Sequence, residues 1–237
     1  MSEVTPDEIM EFLVKITEGL KQSTKKLKYS LLKSLFNFIK NTAEPDLSNP
    51  CNSSVLAKTF RVAKLLPWTI LDRDAVDEFI FKTENTRNRL MLELMARGGM
   101  RIGEVLKLTS HDVQDRKLHL PNPKSGRESE VVFIPKKVAD RLREYIATMN
   151  IQNDERIFPL GYTRAREIVK YAGKKIGIDV KPHDLRRHAA TYASRSGVPI
   201  EIVSKIILRH SNLSTTQRYL GKVSDTEAMY WVENIYR

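Results

Sequence analysis

The stretch KPHDLRRHAATYASRSG, residues 181–197, decides the fold because it joins helix-boundary signals to concentrated positive charge. Pro182 suits the first turn of a helix and Gly197 suits its end, so a helix is predicted over residues 183–196. One face at helical spacing is predicted to pack in a core, and its members are Leu185, Ala189, Tyr192 and Ala193.

A second face of this predicted helix carries His183, Arg186 and Arg187 in its first turns. Helix N-termini favour anions through their free N–H groups and the helix dipole. A guanidinium adds a planar fork that binds two phosphate oxygens at once. The pattern therefore predicts a phosphate site, although a solvated basic helix face is the alternative interpretation of this stretch alone.

The composition points to a polyanionic partner. The chain has 237 residues, a formal net charge of +11 and a hydrophobic content of 41%, which suffices for one large domain or two small ones. Such a charge predicts binding to nucleic acid, with an anionic membrane surface as the second possibility. No run of 18 apolar residues occurs, so no membrane span is predicted.

The N-terminus and the cysteine content predict a cytoplasmic protein. The opening MSEVTPDEIM has early acids and no apolar segment, so it does not read as a signal peptide. Cys51 is the lone cysteine and cannot form an internal disulfide. We therefore expect an inert thiol in a reducing cytosol. Neither a CxxC nor an HExxH pattern is present, so no metal site is predicted.

The pattern along the chain predicts a mainly α protein with a small antiparallel β element, in two domains over residues 1–66 and 67–237. The domain boundary is placed near Pro67, and a breaker-rich stretch occupies residues 41–54. Strands are predicted at 117–120 and 129–135, joined by the turn PNPKSGRE. A first helical unit is expected over 6–40, and further helices over 73–82, 86–97, 102–108, 136–149, 162–176, 199–208, 213–220 and 225–235.

The clearest helix in the first domain runs from Ser23 to Lys40. Its spacing gives one apolar face, formed by Leu27, Leu31, Leu35 and Phe38. A stripe of lysines lies on the opposite side, formed by Lys26, Lys33 and Lys40. This stripe either contacts DNA phosphates or is simply solvated, and spacing alone leaves both interpretations open.

Three further stretches carry chemistry-bearing residues. In ARGGMRIGEVLKL, residues 96–108, Arg101 follows a glycine break, and Glu104 is placed to orient it or to cap the next helix. Lys124 lies on the predicted hairpin turn, where a lysine can deliver a proton or merely be solvated. ILRHSNLSTTQRYL, residues 207–220, carries His210 and Tyr219. In this last helix the packed side is expected to comprise Leu213, Thr216 and Leu220.

Taken together these motifs resemble the tyrosine recombinases, the phage integrase family. The G-x-R-x-x-E pattern is matched by Gly99, Arg101 and Glu104, and the hairpin lysine by Lys124. H-x-L-R is matched by His183, Leu185 and Arg186. The pattern L-G-H-S-x-x-x-T-T-x-x-Y is matched by Leu208, His210, Ser211, Thr215, Thr216 and Tyr219. The order and separations agree over about 120 residues.

The chain departs from the family pattern in several places. Arg209 stands where glycine usually precedes the histidine, and we expect it to alter a turn without abolishing the chemistry. Arg187 stands where many members have histidine, and His188 is displaced by one position. Neither is predicted to be catalytic. Arg127 shares the turn with Lys124, which leaves the lysine assignment open. The N-terminal unit is shorter than the family's core-binding domain, and we interpret it as lacking an opening helix.

The resemblance implies that Tyr219 attacks a scissile DNA phosphate and forms a 3′-phosphotyrosine. A free tyrosine has a pKa of about 10, so His183 is expected to act as base or proton relay. Arg101 and Arg186 would stabilise the charge of the phosphorane and His210 would donate a further hydrogen bond. Lys124 would protonate the leaving oxygen.

The resemblance also implies a two-domain tyrosine recombinase that clamps double-stranded DNA. The expected reaction is site-specific recombination or integration that needs no metal, ATP or other cofactor. Self-association as a dimer or tetramer on DNA is expected through the tail, whose apolar residues are Met229, Trp231, Val232 and Ile235. Packing of the tail on its own domain is the alternative. Type IB topoisomerase-like relaxation and a non-catalytic DNA-binding module are the alternative functions.

Overall fold

The computed structural model describes residues 4–62, 70–121, 129–217, 219–220 and 225–235. The chain divides into two compact units, Met1–Leu66 and Pro67–Arg237. Helices of the first unit are α1 (Pro6–Ile16), α2 (Gln22–Thr42) and α3 (Ser54–Thr59). Helices of the second unit are α4 (Arg73–Phe81), α5 (Thr86–Arg97), α6 (Ile102–Val105), α7 (Lys136–Thr148), α8 (Tyr162–Lys174), α9 (Pro182–Arg195), α10 (Ile200–Ile202), α11 (Leu213–Gln217) and α12 (Asp225–Ile235).

A small antiparallel sheet belongs to the second unit, with β1 (Val113–Gln114), β2 (Lys117–Pro121) and β3 (Ser129–Phe133) in that order. The expectation of a mainly α protein with a small antiparallel β element is therefore confirmed. Within the described ranges, no helix is both long enough and apolar enough to cross a bilayer.

Helix α2 buries a different face from the one that its leucine spacing suggests. Tyr29 and Phe36 are buried, and the Tyr29 hydroxyl donates to the Cys51 carbonyl at 2.8 Å while its ring stacks on Phe60. Aromatic rings bury more area than leucines and can satisfy a polar tip at the same time. The predicted apolar face is instead more than half exposed, at Leu27, Leu31, Leu35 and Phe38.

Two of the three lysines in the predicted stripe are accessible to solvent, and the lone cysteine is not. Lys26 and Lys40 are exposed on α2, and Lys33 is half-buried. Cys51 is a free, buried thiol, and burial raises its pKa. A raised pKa keeps the thiol protonated at neutral pH, which is the condition for an unreactive cysteine.

The second unit is built around α5. Residues 90–96 of this helix are all buried, because α4, α7 and α9 pack against different sides of it. The buried stretch includes Glu93, whose carboxylate accepts a hydrogen bond from Arg141 of α7 at 2.6 Å. A helix buried all round holds the elements that pack on it in fixed positions, and α9 is one of these.

The sheet places a carboxylate on its buried side. Leu118 pairs with Val132 and Leu120 pairs with Glu130 in the β2–β3 ladder. These four side chains share one face because strand residues alternate, and all four are buried. A buried carboxylate needs a cationic partner from another element.

Helix α9 begins at Pro182, and its C-terminal turn ends at Gly197 with φ of +85°, as predicted. Leu185 and Ala189 are buried as expected. The placement of Tyr192 in the core was wrong, since it is 43% exposed. Its ring stacks on His188, and the guanidinium of Arg73 lies 5.2 Å from the ring centre, so contacts with polar groups hold it at the surface.

A glycine break between α5 and α6 brings the chain close to a distant segment. Gly99 has φ of +61°, and a Cβ atom built on it would lie 2.9 Å from both the carbonyl oxygen and Cγ2 of Ile207. Gly103, in α6, has no neighbouring atom within 4 Å of the corresponding position. Only the first of these glycines is required by its surroundings.

Substitution of these two glycines should therefore have opposite effects. Gly99→Ala is expected to lower the free energy of unfolding by about 3 kcal/mol, because it combines left-handed strain with overpacking. Gly103→Ala is the matched control and should raise it by about 0.5 kcal/mol through helix propensity. Urea unfolding monitored by circular dichroism measures both changes. Equal stabilities of the two variants would contradict the close approach at Gly99.

Candidate active site

The centre of the site is the guanidinium of Arg186 in the first turns of α9. Its side chain is 1% exposed, and it donates hydrogen bonds from Nη1 to the carbonyl of Gly99 and from Nη2 to that of Leu208. Among the described residues its Nε has no hydrogen-bond partner. The interpretation of this helix face as merely solvated is therefore wrong for Arg186.

Arg101 and Glu104 form a compact pair just after the Gly99 break. Glu104 accepts a hydrogen bond from the backbone N–H of Arg101 at 2.8 Å and another from its Nη1 at 2.5 Å. The carboxylate therefore both caps α6 and orients the guanidinium, which combines the two roles considered for it. Arg101 retains a side-chain exposure of 28%, so it is accessible to a ligand.

Arg209 adds a third guanidinium to the site, and like that of Arg186 it is buried. It has φ of +52° and so adopts the left-handed conformation that favours the glycine of the family pattern. Its Nη2 donates to Glu104 at 2.7 Å, and its Nε donates to Glu130 at 3.1 Å. Arg209 is thus the cation that the buried carboxylate of β3 requires, and it links β3 to the segment that carries His210.

His210 is held by buried hydroxyl groups. Its Nδ1 lies 2.9 Å from the Thr216 hydroxyl, which lies 2.9 Å from the Ser204 hydroxyl. The backbone N–H of His210 donates to the Ser204 carbonyl at 2.9 Å. Ser204 belongs to a π-helix, Val203–Ile207, a widened turn that is frequent at functional sites.

Tyr219 lies beyond the end of α11, in a turn against His210. The two rings meet edge to face with centroids 5.1 Å apart. The backbone of Tyr219 is fixed at both ends, because its N–H donates to the Thr216 carbonyl at 2.8 Å and its carbonyl accepts from the Thr191 hydroxyl at 3.2 Å. The guanidinium of Arg187 lies 5.9 Å from the ring centre.

The predicted packing of α11 is only partly correct. Thr216 is fully buried and Leu220 is half-buried, but Leu213 is 39% exposed. The helix ends at Gln217, so helical spacing does not carry through to Tyr219, and the predicted helix over 213–220 is too long.

Burial and like charges lower the pKa values of both histidines. The His183 side chain remains exposed at its surface, and partial burial, followed by the charges of Arg186, Arg187 and Arg101, lowers its pKa, while Asp184 opposes the change. Burial, then Arg186, Arg101 and Arg209, lowers the pKa of His210 to about 4. Both rings are therefore neutral at pH 7.

Burial and the same group of charges also shift the pKa values of Glu104 and Arg186, and both are lowered. Burial raises the pKa of Glu104, but Arg209 and the hydrogen bonds from Arg101 outweigh it, and the net shift is downward. Burial, with Arg101 and Arg209, lowers the pKa of Arg186 to about 9, so its guanidinium remains charged at pH 7. Glu104 is likewise ionised.

The cluster therefore carries excess positive charge. Three guanidinium groups, those of Arg101, Arg186 and Arg209, face two carboxylates, those of Glu104 and Glu130. The difference is one positive charge, because the histidines are neutral. An anion at this position would gain from that charge and from the Arg186 Nε.

The fold brings together five of the six side chains predicted to be catalytic, namely Arg101, His183, Arg186, His210 and Tyr219. The sixth, Lys124, and its neighbour Arg127 lie outside the described residues. His188 points elsewhere, since its Nδ1 lies 3.0 Å from the Leu71 carbonyl.

Sequence reasoning missed the contacts that Arg187, Arg209 and Thr216 make in the site. Arg187 was predicted only to lie on the phosphate-facing side of its helix, and Thr216 only to lie on the packed side of its helix, so neither had an assigned partner side chain. An acid at a core-facing position of a predicted strand, Glu130, was the available signal for a buried cation such as Arg209.

A model of the phage integrase family matches residues 70–224. Tyrosine recombinase XerA of Pyrococcus horikoshii is 30% identical over 228 residues, which cover 91% of this chain and 75% of that protein. XerA of Thermococcus kodakarensis is 34% identical over 173 residues, covering 67% of this chain and 60% of that protein.

Solved structures give the same fold. The crystal structure of XerA recombinase aligns with all of this chain and 84% of its own, with a TM-score of 0.62 and 20% identity. XerH site-specific recombinase, bound to a palindromic difH substrate after cleavage, aligns with all of this chain and 71% of its own, with a TM-score of 0.75 and 21% identity. With the family match over most of its length, the chain belongs to the phage integrase family, the tyrosine recombinases.

Proposed function

We propose that this chain is a site-specific DNA recombinase in which Tyr219 is the nucleophile. Its phenolic oxygen bonds to the phosphorus of a scissile phosphate as the bond to the 5′-oxygen breaks. The products are a 3′-phosphotyrosine and a free 5′-hydroxyl, and attack by another 5′-hydroxyl reverses the step. Membership of a family of DNA-cleaving and rejoining enzymes supports this reaction class.

The observation that carries the proposal is the environment of Arg186. A guanidinium that is 1% exposed keeps a buried Nε without a partner among the described residues. This guanidinium lies near Tyr219, in a cluster that carries one excess positive charge. Buried donors are normally satisfied, so a phosphate is the ligand that fits both the free donor and the charge.

The proposed roles follow from charge and protonation. Arg101 and Arg186 stabilise the negative charge that develops on the equatorial oxygens of the phosphorane, and His210 donates to one of them. His183 accepts the phenolic proton, a role that suits a ring whose lowered pKa keeps it neutral at pH 7. The loss of one such donor costs about 3 kcal/mol, roughly a hundredfold in rate.

Lys124 is proposed as the general acid for the leaving 5′-oxygen, on the strength of its place in the family pattern. Fixed guanidinium groups supply the positive charge at the phosphate, so the reaction is proposed to need no metal ion. The phosphotyrosine retains the energy of the phosphodiester, so rejoining needs no ATP.

Double-stranded DNA is the proposed partner, with residues 1–66 as the core-binding domain and residues 67–237 as the catalytic domain. XerH was solved on its DNA substrate, and this chain has the same fold and a net charge of +11. The lysine stripe of α2, formed by Lys26, Lys33 and Lys40, is proposed to contact phosphates. A cytoplasmic location is proposed, because the protein must meet its DNA substrate there.

Self-association on DNA, as a dimer or tetramer, is proposed to use α12. Met229, Tyr230 and Val232 are each more than half exposed on this helix. Trp231 instead lies against Gly197 of the same chain, with its Cη2 3.3 Å from the position of a Cβ there. The exposed residues are available to a second copy while Trp231 holds the helix in place.

The nucleophile is tested by Tyr219→Phe. The variant should form no covalent adduct with nicked duplex carrying the sequence recovered from DNA trapped on the protein, because phenylalanine has no attacking oxygen. The wild type should form the adduct in EDTA and without ATP. Denaturing electrophoresis with labelled DNA measures both.

The matched control for this test is Tyr171→Phe, since Tyr171 is 65% exposed on α8. It should form adduct at the wild-type rate. An adduct that persists in Tyr219→Phe would refute the choice of nucleophile. A wild type that binds DNA without any adduct would favour the non-catalytic module, and supercoil relaxation without recombinant product would favour the topoisomerase alternative.

The pH dependence tests His183 as base. Since its pKa is lowered, the neutral form persists to lower pH than in a free histidine, and the acidic limb of the second-order rate constant for adduct formation should lie below about pH 6.5. His183→Gln should remove the limb and slow the reaction about a hundredfold, whereas His111→Gln, at an exposed position, should leave it unchanged. A limb above pH 6.5 would argue against the assignment.

The lysine stripe is tested by the salt dependence of DNA binding. Replacing Lys26, Lys33 and Lys40 together by Gln should make the slope of log K against log salt shallower by about 2–3, because each phosphate contact contributes about 0.9. Lys136→Gln is the control, since Lys136 already pairs with Asp140 at 2.9 Å. An unchanged slope in the triple variant would mean that the stripe is only solvated.

A further inference from the structure

The hydroxyl groups beneath His210 form a short chain whose protons can be counted. The Thr216 hydroxyl lies 2.9 Å from Nδ1 of His210 and 2.9 Å from the Ser204 hydroxyl. Thr216 is fully buried, Ser204 is 2% exposed and His210 is 8% exposed. Each hydroxyl has one proton to donate and can accept two hydrogen bonds. If Thr216 accepted from both neighbours, its own buried proton would be left without a partner among the described residues, so two directions along the chain of groups remain.

In one direction His210 donates from Nδ1 to Thr216, and Thr216 donates to Ser204. The proton of the Ser204 hydroxyl is then left over, and the described residues offer it no other hydrogen bond. An unsatisfied donor in a side chain that is 2% exposed costs about 1–3 kcal/mol. This direction is disfavoured by that amount.

In the other direction Ser204 donates to Thr216, and Thr216 donates to Nδ1 of His210. Both hydroxyl protons are then used, and Nδ1 is an acceptor. A neutral imidazole carries one proton, so that proton must reside on Nε2. The backbone holds these groups in place in either direction, because the Ser204 carbonyl accepts the N–H of His210 and the Thr216 carbonyl accepts the N–H of Tyr219.

We propose that Thr216 is a positioning residue that sets the tautomer of His210, so that the ring presents an Nε2–H donor to the phosphate while uncharged. The tautomer is a property of the free protein, but its catalytic consequence rests on the proposed function. This tautomer explains how His210, which lies among guanidinium groups, donates a hydrogen bond without adding a further positive charge.

The positive charge around the His210 ring means that a neutral ring must supply the hydrogen-bond donor. The groups that face His210 are the guanidiniums of Arg101, Arg186 and Arg209 and the phenol of Tyr219, with Glu104 and Glu130 behind Arg209. Burial and these cations lower the pKa of His210 to about 4, so protonation cannot supply the donor at pH 7. The neutral ring donates from Nε2 only if Nδ1 accepts.

The direct test is the nitrogen-15 NMR signature of His210 in the free protein at pH 7, assigned with His210→Gln. The wild type should show a protonated Nε2 and an unprotonated Nδ1. Thr216→Val, which removes the hydroxyl at nearly constant volume, should shift the proton toward Nδ1. A proton on Nδ1 in the wild type would overturn the proposal whether or not the protein cleaves DNA.

Ser204→Ala tests the direction of the chain. The Thr216 hydroxyl still has Nδ1 as its acceptor in this variant, so the tautomer should stay on Nε2. If removal of Ser204 instead moves the proton from Nδ1 to Nε2, the chain runs in the opposite direction and the proposal is wrong.

The catalytic consequence is measured as the rate of adduct formation on the nicked duplex. Thr216→Val should be about 30-fold slower than wild type at about pH 8, and the deficit should narrow to about 8-fold at about pH 5, because a tenth of the rings then carry both protons. Thr216→Ser should restore the rate to within about threefold. Thr83→Val, which removes a buried hydroxyl bonded to the Phe79 carbonyl, should leave it unchanged.

These outcomes separate the inference from the function on which it rests. A Thr216→Val deficit that is constant with pH, or that Thr216→Ser does not relieve, would show a purely structural effect and overturn the proposal. If His210→Gln cleaves at the wild-type rate, the proposed role of His210 in catalysis fails, while the NMR result still decides the tautomer.

Discussion

The burial of the Arg186 guanidinium is the constraint on which the site depends. A charge that is 1% exposed costs several kcal/mol unless hydrogen bonds replace its water. The carbonyls of Gly99 and Leu208 supply those bonds. Gly99 lies two residues before Arg101, and Leu208 lies two residues before His210. Satisfying one ion therefore fixes the two segments that carry the other phosphate-facing groups.

Repulsion between like charges is the second constraint, and buried carboxylates offset that repulsion. Burial, and then the charges of Arg101 and Arg209, lower the pKa of Arg186, so the three guanidinium groups raise one another's electrostatic free energy. Glu104 bridges Arg101 and Arg209, and Glu130 binds Arg209 from the sheet. The result is a rigid cluster that keeps only as much positive charge as one bound anion can use.

Local signals predicted most of the helices and the strands. Pro182 begins α9, and the glycine break ends α5. Motif order also predicted which distant side chains would meet around Arg186. These features depend on short-range backbone chemistry or on a pattern already encoded in sequence order.

Features that depend on contacts between residues far apart in the sequence could not be predicted. Helix α2 has two apolar stripes, and the choice of Tyr29 and Phe36 for the core depends on the contacts with Cys51 and Phe60. The pairing of Arg209 with Glu130 joins residues 79 positions apart. The role of Thr216 required knowing that a π-helix places the hydroxyl of Ser204 beneath it.

Arg209 shows that the family's glycine marks a dihedral requirement and not a need for a small side chain. The chain keeps φ at +52° and offsets the strain of a non-glycine residue with ion pairs to two carboxylates. Substitution here is thus coupled to an acid on a strand far away in sequence. A homologue that lacks the glycine deserves a search for its compensating carboxylate before it is judged a degenerate, inactive copy.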